Sequence, residues 1–364
     1  MKIIQLCTDL RVGGLQRLVL DLSQELGQRH EVILATHWSE EFDEISINQP
    51  RFRRVSFGKK AGGTSLSLMY SINRFLWQEK ADVVHSHLFS LFYAAPMMML
   101  SLPRNTKFFH TIHSMADKEM PNIDWLRKRA YRGKTQAVAI SDEVKESVRE
   151  YFSGLEVPLI YNGTAINNES EPELDKKLMA LRKTPQTKIF LNIGHLSKCK
   201  NQLLLNEAAR LLEKEGFGFQ VAIVGRPDDE EYARRFFAEK CSSVHYLGVS
   251  RHPQALLRRA DFFTLSSQYE GMPISLIEAL GNGCVPVCVP AGGIPSGCVH
   301  HENGILAEQC TPEALFQAMR EAILLSPQQY AQYRNQSLQL FATRFSIQQC
   351  AEKYERLYAG DFSW

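Results

Sequence analysis

Glu270 and Glu278 stand with seven residues between them in the stretch EGMPISLIEALGNG, which joins a loop to an apolar helical pattern. Pro273 suits the first position of a helix and Gly281 or Gly283 its end, so a short helix is expected there. The free N–H groups of its first turn, around Gly271, Met272, Pro273, Ile274 and Ser275, could hold sugar hydroxyls or phosphate oxygens. Glu278 falls among Ile277, Ala279 and Leu280. A carboxylate in so apolar a setting needs a hydrogen-bonding partner, and a ribose diol would serve. The same pattern also fits a surface glutamate on an amphipathic helix.

Upstream, the segment from Asn192 to Gln202 carries His195, Lys198 and Lys200 just ahead of another helix. Cations in such a loop suit a diphosphate, although a solvated lysine loop has the same composition. Near the N-terminus, Gly13-Gly14 sits in the first strand-to-helix turn, Asp9 to Arg17. Paired glycines let the N–H groups of the next helix face an anion, or simply make a tight turn. The turn lacks G-x-G-x-x-G, which disfavours a nicotinamide oxidoreductase. His85, His87, His110 and His113 fall at two strand ends with no carboxylate or cysteine at ligand spacing, so they read as cleft-lining residues and no metal site is expected. No D-x-D stands near a strand end, and Asp228-Asp229 reads as a helix-start pair.

The elements that must position these residues follow a βαβ rhythm. Apolar runs at Ile3–Leu6, Glu31–Ala35, Ala81–His85, Lys107–Ile112 and Gln136–Ile140 alternate with amphipathic stretches. Near-continuous apolar strands imply a parallel sheet buried on both faces. The pattern lapses into a polar linker around Asn167 to Glu173, then a second series starts at Lys188–Ile193, Gln220–Val224, Val244–Leu247, Asp261–Leu265 and Val285–Val289. The expectation is an α/β chain of two Rossmann-like doubly wound domains, 1–165 and 166–344, with a helical tail, 345–364. Ligands of such sheets bind at the strand C-terminal edges, so function is expected in loops facing a cleft between the domains.

Composition narrows the class. With 364 residues, 44% hydrophobic, the chain can bury more than one core. Lys+Arg 42 against Asp+Glu 40 leaves a formal +2, without the excess of a dedicated nucleic-acid binder. Eight scattered cysteines without C-x-x-C fit reduced thiols in a cytoplasmic protein. The opening MKIIQLCTDLRVGG is broken at Asp9 and reads as a first strand rather than a signal peptide. Leu88 to Leu102 contains Pro96 and falls short of the roughly 20 residues of a membrane span, so a buried helix is expected. The basic and aromatic stretch Trp125 to Lys134 fits either a solvated helix face or a surface resting on an anionic membrane.

Taken together, these residues resemble the retaining glycosyltransferases of the GT-B fold, glycosyltransferase family 4 (glycosyl transferases group 1), along nearly the whole chain. Glu270 and Glu278 resemble the family's E-x7-E signature, and Gly13-Gly14-Leu15-Gln16-Arg17 its GG-x-x-R turn. Val84-His85-Ser86-His87, the strand end His110 to His113, Ala139-Ile140-Ser141, Tyr161-Asn162-Gly163, and Gly292-Gly293-Ile294-Pro295 with Asn303-Gly304 are further matches.

The resemblance implies a nucleoside-diphosphate sugar bound mainly by the second domain and a glycan or lipid-linked acceptor held by the first. It implies that Glu278 binds the ribose, Glu270 contacts the transferred sugar and Lys200 neutralises the diphosphate. Gly14 lets the N-terminal loop approach the phosphates, and His113 faces donor sugar and acceptor. It further implies retention of configuration without a metal or other cofactor, a UDP-sugar donor by family frequency, a role in cell-surface polysaccharide biosynthesis, and a tail helix that returns to the first domain. Two positions depart from the pattern: His195 stands where the family usually has Arg, and Ser296 where it often has Glu. They motivate one alternative, a degenerate protein that binds nucleotide without turnover; within the enzyme class a GDP-sugar transferase is a separate alternative. The expected setting is the cytoplasm, with peripheral contact at the inner membrane face.

Overall fold

The computed structural model describes residues 1–42, 45, 47–60, 62–100, 105–119, 125–133, 135–152 and 155–361. By its internal contacts the chain divides into two units, one running from Met1 to Thr164 and resuming at Phe345, the other Ala165–Arg344.

The first unit is built on strands β1 (Lys2–Cys7), β2 (Glu31–Trp38), β3 (Arg53–Lys59), β4 (Val83–His87), β5 (Lys107–Ile112) and β6 (Thr135–Ala139), in the order β3-β2-β1-β4-β5-β6. The second unit repeats that order with β7 (Lys188–Ile193), β8 (Phe219–Val224), β9 (Val244–Gly248), β10 (Phe262–Leu265), β11 (Val285–Cys288) and β12 (Ile305–Leu306), arranged β12-β11-β10-β7-β8-β9. Every neighbouring pair is parallel. This is the doubly wound α/β architecture that the apolar runs predict, and its physical cause is visible in the burial. All residues of β4, β8, β10 and β11 are buried, as strands covered by helices on both faces must be.

Strand order reverses between β1 and β4 in the first sheet and between β7 and β10 in the second, so the loops after those strands flank the two switch points. The candidate residues at Gly13-Gly14 follow β1. Those at 194–200 follow β7, and those at 266–273 follow β10.

The apolar segment at 88–102 forms a largely buried helix, Ser90–Leu100, with residues 101–104 outside the described set. Pro96 interrupts its hydrogen-bond ladder. The Asn73 side chain fills the gap: its Nδ2 donates to Tyr93 O at 2.8 Å and its Oδ1 accepts from Met97 N at 2.9 Å. Among the described residues no helix is long and apolar enough to cross a membrane.

The basic stretch becomes the helix Trp125–Tyr131, with residue 134 outside the described set. It does not present one uniform basic face, because Arg127 is buried, 5.6 Å over the Phe89 ring, while Trp125 is exposed.

The last helix, Ile347–Ala359, belongs to the first unit. Ser346 caps its start by accepting from Gln349 N, and Gly360 ends it at φ +93°. Glu355 meets Arg29 Nε and His30 Nε2, each at 2.9 Å, and Lys107 Nζ donates to Tyr358 O at 2.7 Å. Tyr354 and Tyr358 are fully buried, which places two phenol hydroxyls beneath the sheet's polar interior.

Candidate functional site

In the second unit three strand-end loops are woven together before any side chain is considered. Leu196, in the loop after β7, donates its N–H to Arg226 O at 2.9 Å in the loop after β8. Gln268, in the loop after β10, donates its N–H to Cys199 O at 2.8 Å, and Ser266 Oγ donates to Lys200 O at 3.0 Å. Gly225, at φ +154°, sits where a Cβ would lie 2.0 Å from Gly194 O. Only glycine permits that approach.

This weave brings Lys200 to Glu270. Nζ lies 2.5 Å from Glu270 Oε1, which also accepts from Ser267 Oγ at 2.7 Å. The Glu270 side chain is 9% exposed and that of Lys200 23%, so the pair is partly desolvated and its attraction exceeds that of a surface ion pair. A lysine held there stays available to a second anion entering beside Glu270, because an ammonium has three donors.

Pro273 is the N-cap, not the first helical residue, and the helix runs Ile274–Gly281. Gly283, at φ +66°, follows it in the left-handed conformation that favours glycine. Gly271, Met272, Pro273 and Ile274 are all buried. Gly292 backs the loop: it sits at φ +49°, and a Cβ on it would stand 1.9 Å from Glu270 O. Gly293 N donates to that same oxygen at 3.3 Å.

Glu278 is 6% exposed, which rules out the surface-glutamate alternative. Gln254 Nε2 donates to its Oε1 at 3.2 Å and to Ala165 O at 2.9 Å. Gln254 therefore orients the carboxylate, a role for which its place in the sequence offers no signal.

His195 Nδ1 makes a short contact with Asp228 Oδ2, and Arg226 Nε lies 3.0 Å from Asp228 Oδ1. Burial lowers the His195 pKa, with the Asp228 carboxylate opposing that shift. Asp229 caps the helix Glu230–Glu239 by accepting from Tyr232 N at 3.0 Å, as the helix-start reading expects. Lys198 is drawn to Asp229, 3.9 Å away, and is largely exposed. Arg226, delivered by the next strand and missed by sequence reasoning, joins Lys200 as a permanent cation acting on His195. Ser296 sits in a short 3₁₀ turn, Ile294–Ser296.

In the first unit the turn after β1 is built on Asp9, 2% exposed, which accepts from Arg11 N at 3.1 Å, Arg11 Nη2 at 3.0 Å and Gln16 Nε2 at 3.2 Å. The following helix starts at Gly14 with Gly13 as its N-cap. His113, at the end of β5, is half-buried, and its Nε2 lies 3.0 Å from His87 Nδ1. Glu119 Oε2 accepts from the N–H groups of His113 and Ser114 at 2.6 and 2.9 Å. Burial pushes the His113 pKa down to about 4. Among the described residues no group of three or more histidines, cysteines, aspartates or glutamates is arranged to hold a metal ion.

Both halves of the chain match known families: residues 12–167 match "Glycosyltransferase Family 4" and residues 175–339 match "Glycosyl transferases group 1". The chain belongs to the group 1 glycosyltransferases of GT-B fold. The capsular polysaccharide biosynthesis glycosyltransferase CapH of Staphylococcus aureus is 23% identical over 79% of this chain and 81% of its own length. An Escherichia coli enzyme named UDP-Gal:alpha-D-GlcNAc-diphosphoundecaprenol alpha-1,3-galactosyltransferase is 25% identical over 59% of each chain. Among the first curated relatives the matched share of their own length runs from 48% to 81%, so against some of them the chain spans about half. HepE of Anabaena, solved in complex with UDP and glucose, shares the fold with a TM-score of 0.81 at 18% identity, over 99% of both chains.

Proposed function

We propose that this chain transfers a sugar from a UDP-sugar to a glycan or lipid-linked acceptor in cell-surface polysaccharide biosynthesis, retaining anomeric configuration without a metal ion. The observation that carries the reading is the cluster of Lys200, Ser267 and Glu270 at the switch point of the second sheet, with buried Glu278 one turn into the helix that follows. A cation, a short helix N-terminus and an oriented carboxylate match a diphosphate, a sugar and a ribose in that order. CapH is named for capsular polysaccharide biosynthesis, the E. coli relative for a UDP-galactose donor and a lipid diphosphate acceptor, and HepE was also solved with UDP-glucose. Those names support the donor and acceptor classes.

In this reading the bond from the anomeric carbon to the β-phosphate oxygen breaks while the acceptor oxygen bonds to that carbon from the same face. The acceptor proton passes to the departing diphosphate. Negative charge grows on the diphosphate as this happens, and Lys200 with the N–H groups of Gly271 and Ile274 meets it where it develops. In the neighbouring loops Arg226 is balanced by Asp228, and His195, its pKa lowered by burial, offers the donor a hydrogen-bonding ring rather than a charge. Glu270 holds Lys200 and contacts the transferred sugar. Gly14 leaves room for the phosphates, and His113 serves the donor sugar and acceptor. The enzyme works at the cytoplasmic side of the membrane, where a lipid-linked acceptor would bring it into peripheral contact.

Titrating UDP into protein held in EDTA tests the nucleotide assignment. Glu278→Ala is expected to weaken binding about 10- to 100-fold, the loss of hydrogen bonds to a charged acceptor worth about 1.5–3 kcal/mol. Equal affinity in the two proteins would overturn the ribose role. Tighter binding of GDP than UDP by the wild type would move the donor class.

A further inference from the structure

The first unit holds a continuous chain of side-chain hydrogen bonds that begins on the last helix and ends at His113. Thr111 Oγ1 meets Tyr354 OH at 2.7 Å and His85 Nε2 at 2.7 Å. His85 Nδ1 meets Tyr358 OH at 2.6 Å, and Gln5 Nε2 donates to that hydroxyl at 3.3 Å. Gln5 Oε1 meets His87 Nε2 at 2.8 Å, and His87 Nδ1 meets His113 Nε2 at 3.0 Å. Gln5, His85, His87 and Thr111 are each 0% exposed.

Such a chain has a direction, because each neutral imidazole has one donor and one acceptor. Burial holds His85 and His87 well below the ordinary histidine range and His113 near 4, so all three rings carry a single proton at neutral pH. The Gln5 amide sets the order. Its oxygen can only accept, so His87 Nε2 carries the proton and His87 Nδ1 is a bare acceptor. His113 must then donate from Nε2, which leaves the lone pair on Nδ1. At the other end Gln5 donates to Tyr358, Tyr358 donates to His85 Nδ1, and His85 Nε2–H donates to Thr111. A reversed Gln5 amide would reverse every proton and put the His113 proton on Nδ1. The structure holds the first orientation, with Gln5 Nε2 facing Tyr358 OH and Gln5 Oε1 facing His87 Nε2.

We propose that Gln5, His87 and Tyr358 are positioning residues that fix His113 as its Nε2–H tautomer, presenting Nδ1 as a hydrogen-bond acceptor for a sugar or acceptor hydroxyl. The use of that lone pair rests on the transferase reading given above, whereas the tautomer does not. In this arrangement the last helix, nearly 250 residues distant in sequence, determines what kind of partner His113 can be: Tyr358 acts through Gln5 and His87 without approaching the substrate. The gain is preorganisation, because a ring in a mixture of tautomers offers the correct one only part of the time.

The experiment is nitrogen-15 NMR of the histidine side chains in the wild type, Tyr358→Phe and Gln5→Leu, without donor or acceptor. In the wild type the His113 Nε2 signal is expected to be of the protonated, pyrrole type and Nδ1 of the bare, pyridine type. In Tyr358→Phe the Gln5 amide loses the partner that orients it, and in Gln5→Leu His87 loses its fixed acceptor. Both variants are expected to move the His113 signals toward a mixture of tautomers. A wild-type His113 protonated on Nδ1, or signals unchanged in both variants, would overturn the proposal. Melting temperatures run alongside show whether a variant is folded, and Tyr358→Phe removes only one hydroxyl. With turnover as a second readout, kcat/KM falls about twofold for an even mixture. A tautomer shift in a protein that transfers no sugar would leave this proposal standing and remove the transferase reading.

Discussion

Lys200→Ala is expected to lower the rate of sugar transfer by about two to three orders of magnitude, the size of effect seen when one preorganised group facing developing negative charge is removed. Two losses combine. The diphosphate loses the ammonium that meets its growing charge, and Glu270 loses the cation 2.5 Å away while remaining 9% exposed. An uncompensated carboxylate so placed is costly, so the variant is also expected to be less stable. Lys200→Arg separates the two. A guanidinium restores the charge near Glu270 but spreads it over a planar fork, so stability should return further than turnover. Turnover and thermal midpoint measured on both variants check this. Undiminished turnover in Lys200→Ala would contradict the role assigned to the lysine.

Gly292→Ala is expected to damage the site without touching any side chain that binds substrate. The residue sits at φ +49°, and its new methyl group would lie 1.9 Å from the carbonyl oxygen of Glu270. Left-handed backbone in a residue other than glycine costs of order 1–3 kcal/mol, and the clash adds displacement of the chain at Glu270. Met272 and Ile274 are buried just beyond that turn, so the movement cannot be absorbed by solvent. The expected result is a loss of about 3 kcal/mol or more in stability together with weakened nucleotide binding. Denaturant unfolding and a UDP titration read the two effects. A variant as stable as the wild type, with equal affinity, would show that the close contact is not a constraint.

The sequence reveals these glycines only in part. Gly292 and Gly293 stand out as a pair, but the oxygen they pack against lies more than twenty residues upstream. The strand pattern reads well wherever both faces are buried: Phe219–Val224 and Phe262–Leu265 are apolar apart from Gln220 and Thr264. Arg53–Lys59 escapes it because an edge strand is half-exposed and carries Arg53, Arg54 and Lys59 among its apolar residues. Ile305–Leu306 escapes because two residues make no pattern.

The site divides in the same way. Glu270, Glu278 and Lys200 are legible because each is a charged residue at a strand end or in an apolar helix, which demands a reason. Gln254 and Gln5 are not, because their roles consist of partners 24 and 353 residues away in sequence, Glu278 and Tyr358. The histidines at the ends of β4 and β5 were visible as a group, yet only the structure shows that they are links between an amide, two phenols and His113.

The most direct measurement is release of UDP from a UDP-hexose in the presence of a polyprenyl-diphosphate-linked glycan acceptor and EDTA, with the product's anomeric configuration read by proton NMR. The expected result is UDP release that EDTA leaves undiminished and a new linkage of the same configuration as the donor's. UDP binding with no release for any acceptor, release only when a divalent metal is restored, or a product of inverted configuration would contradict it.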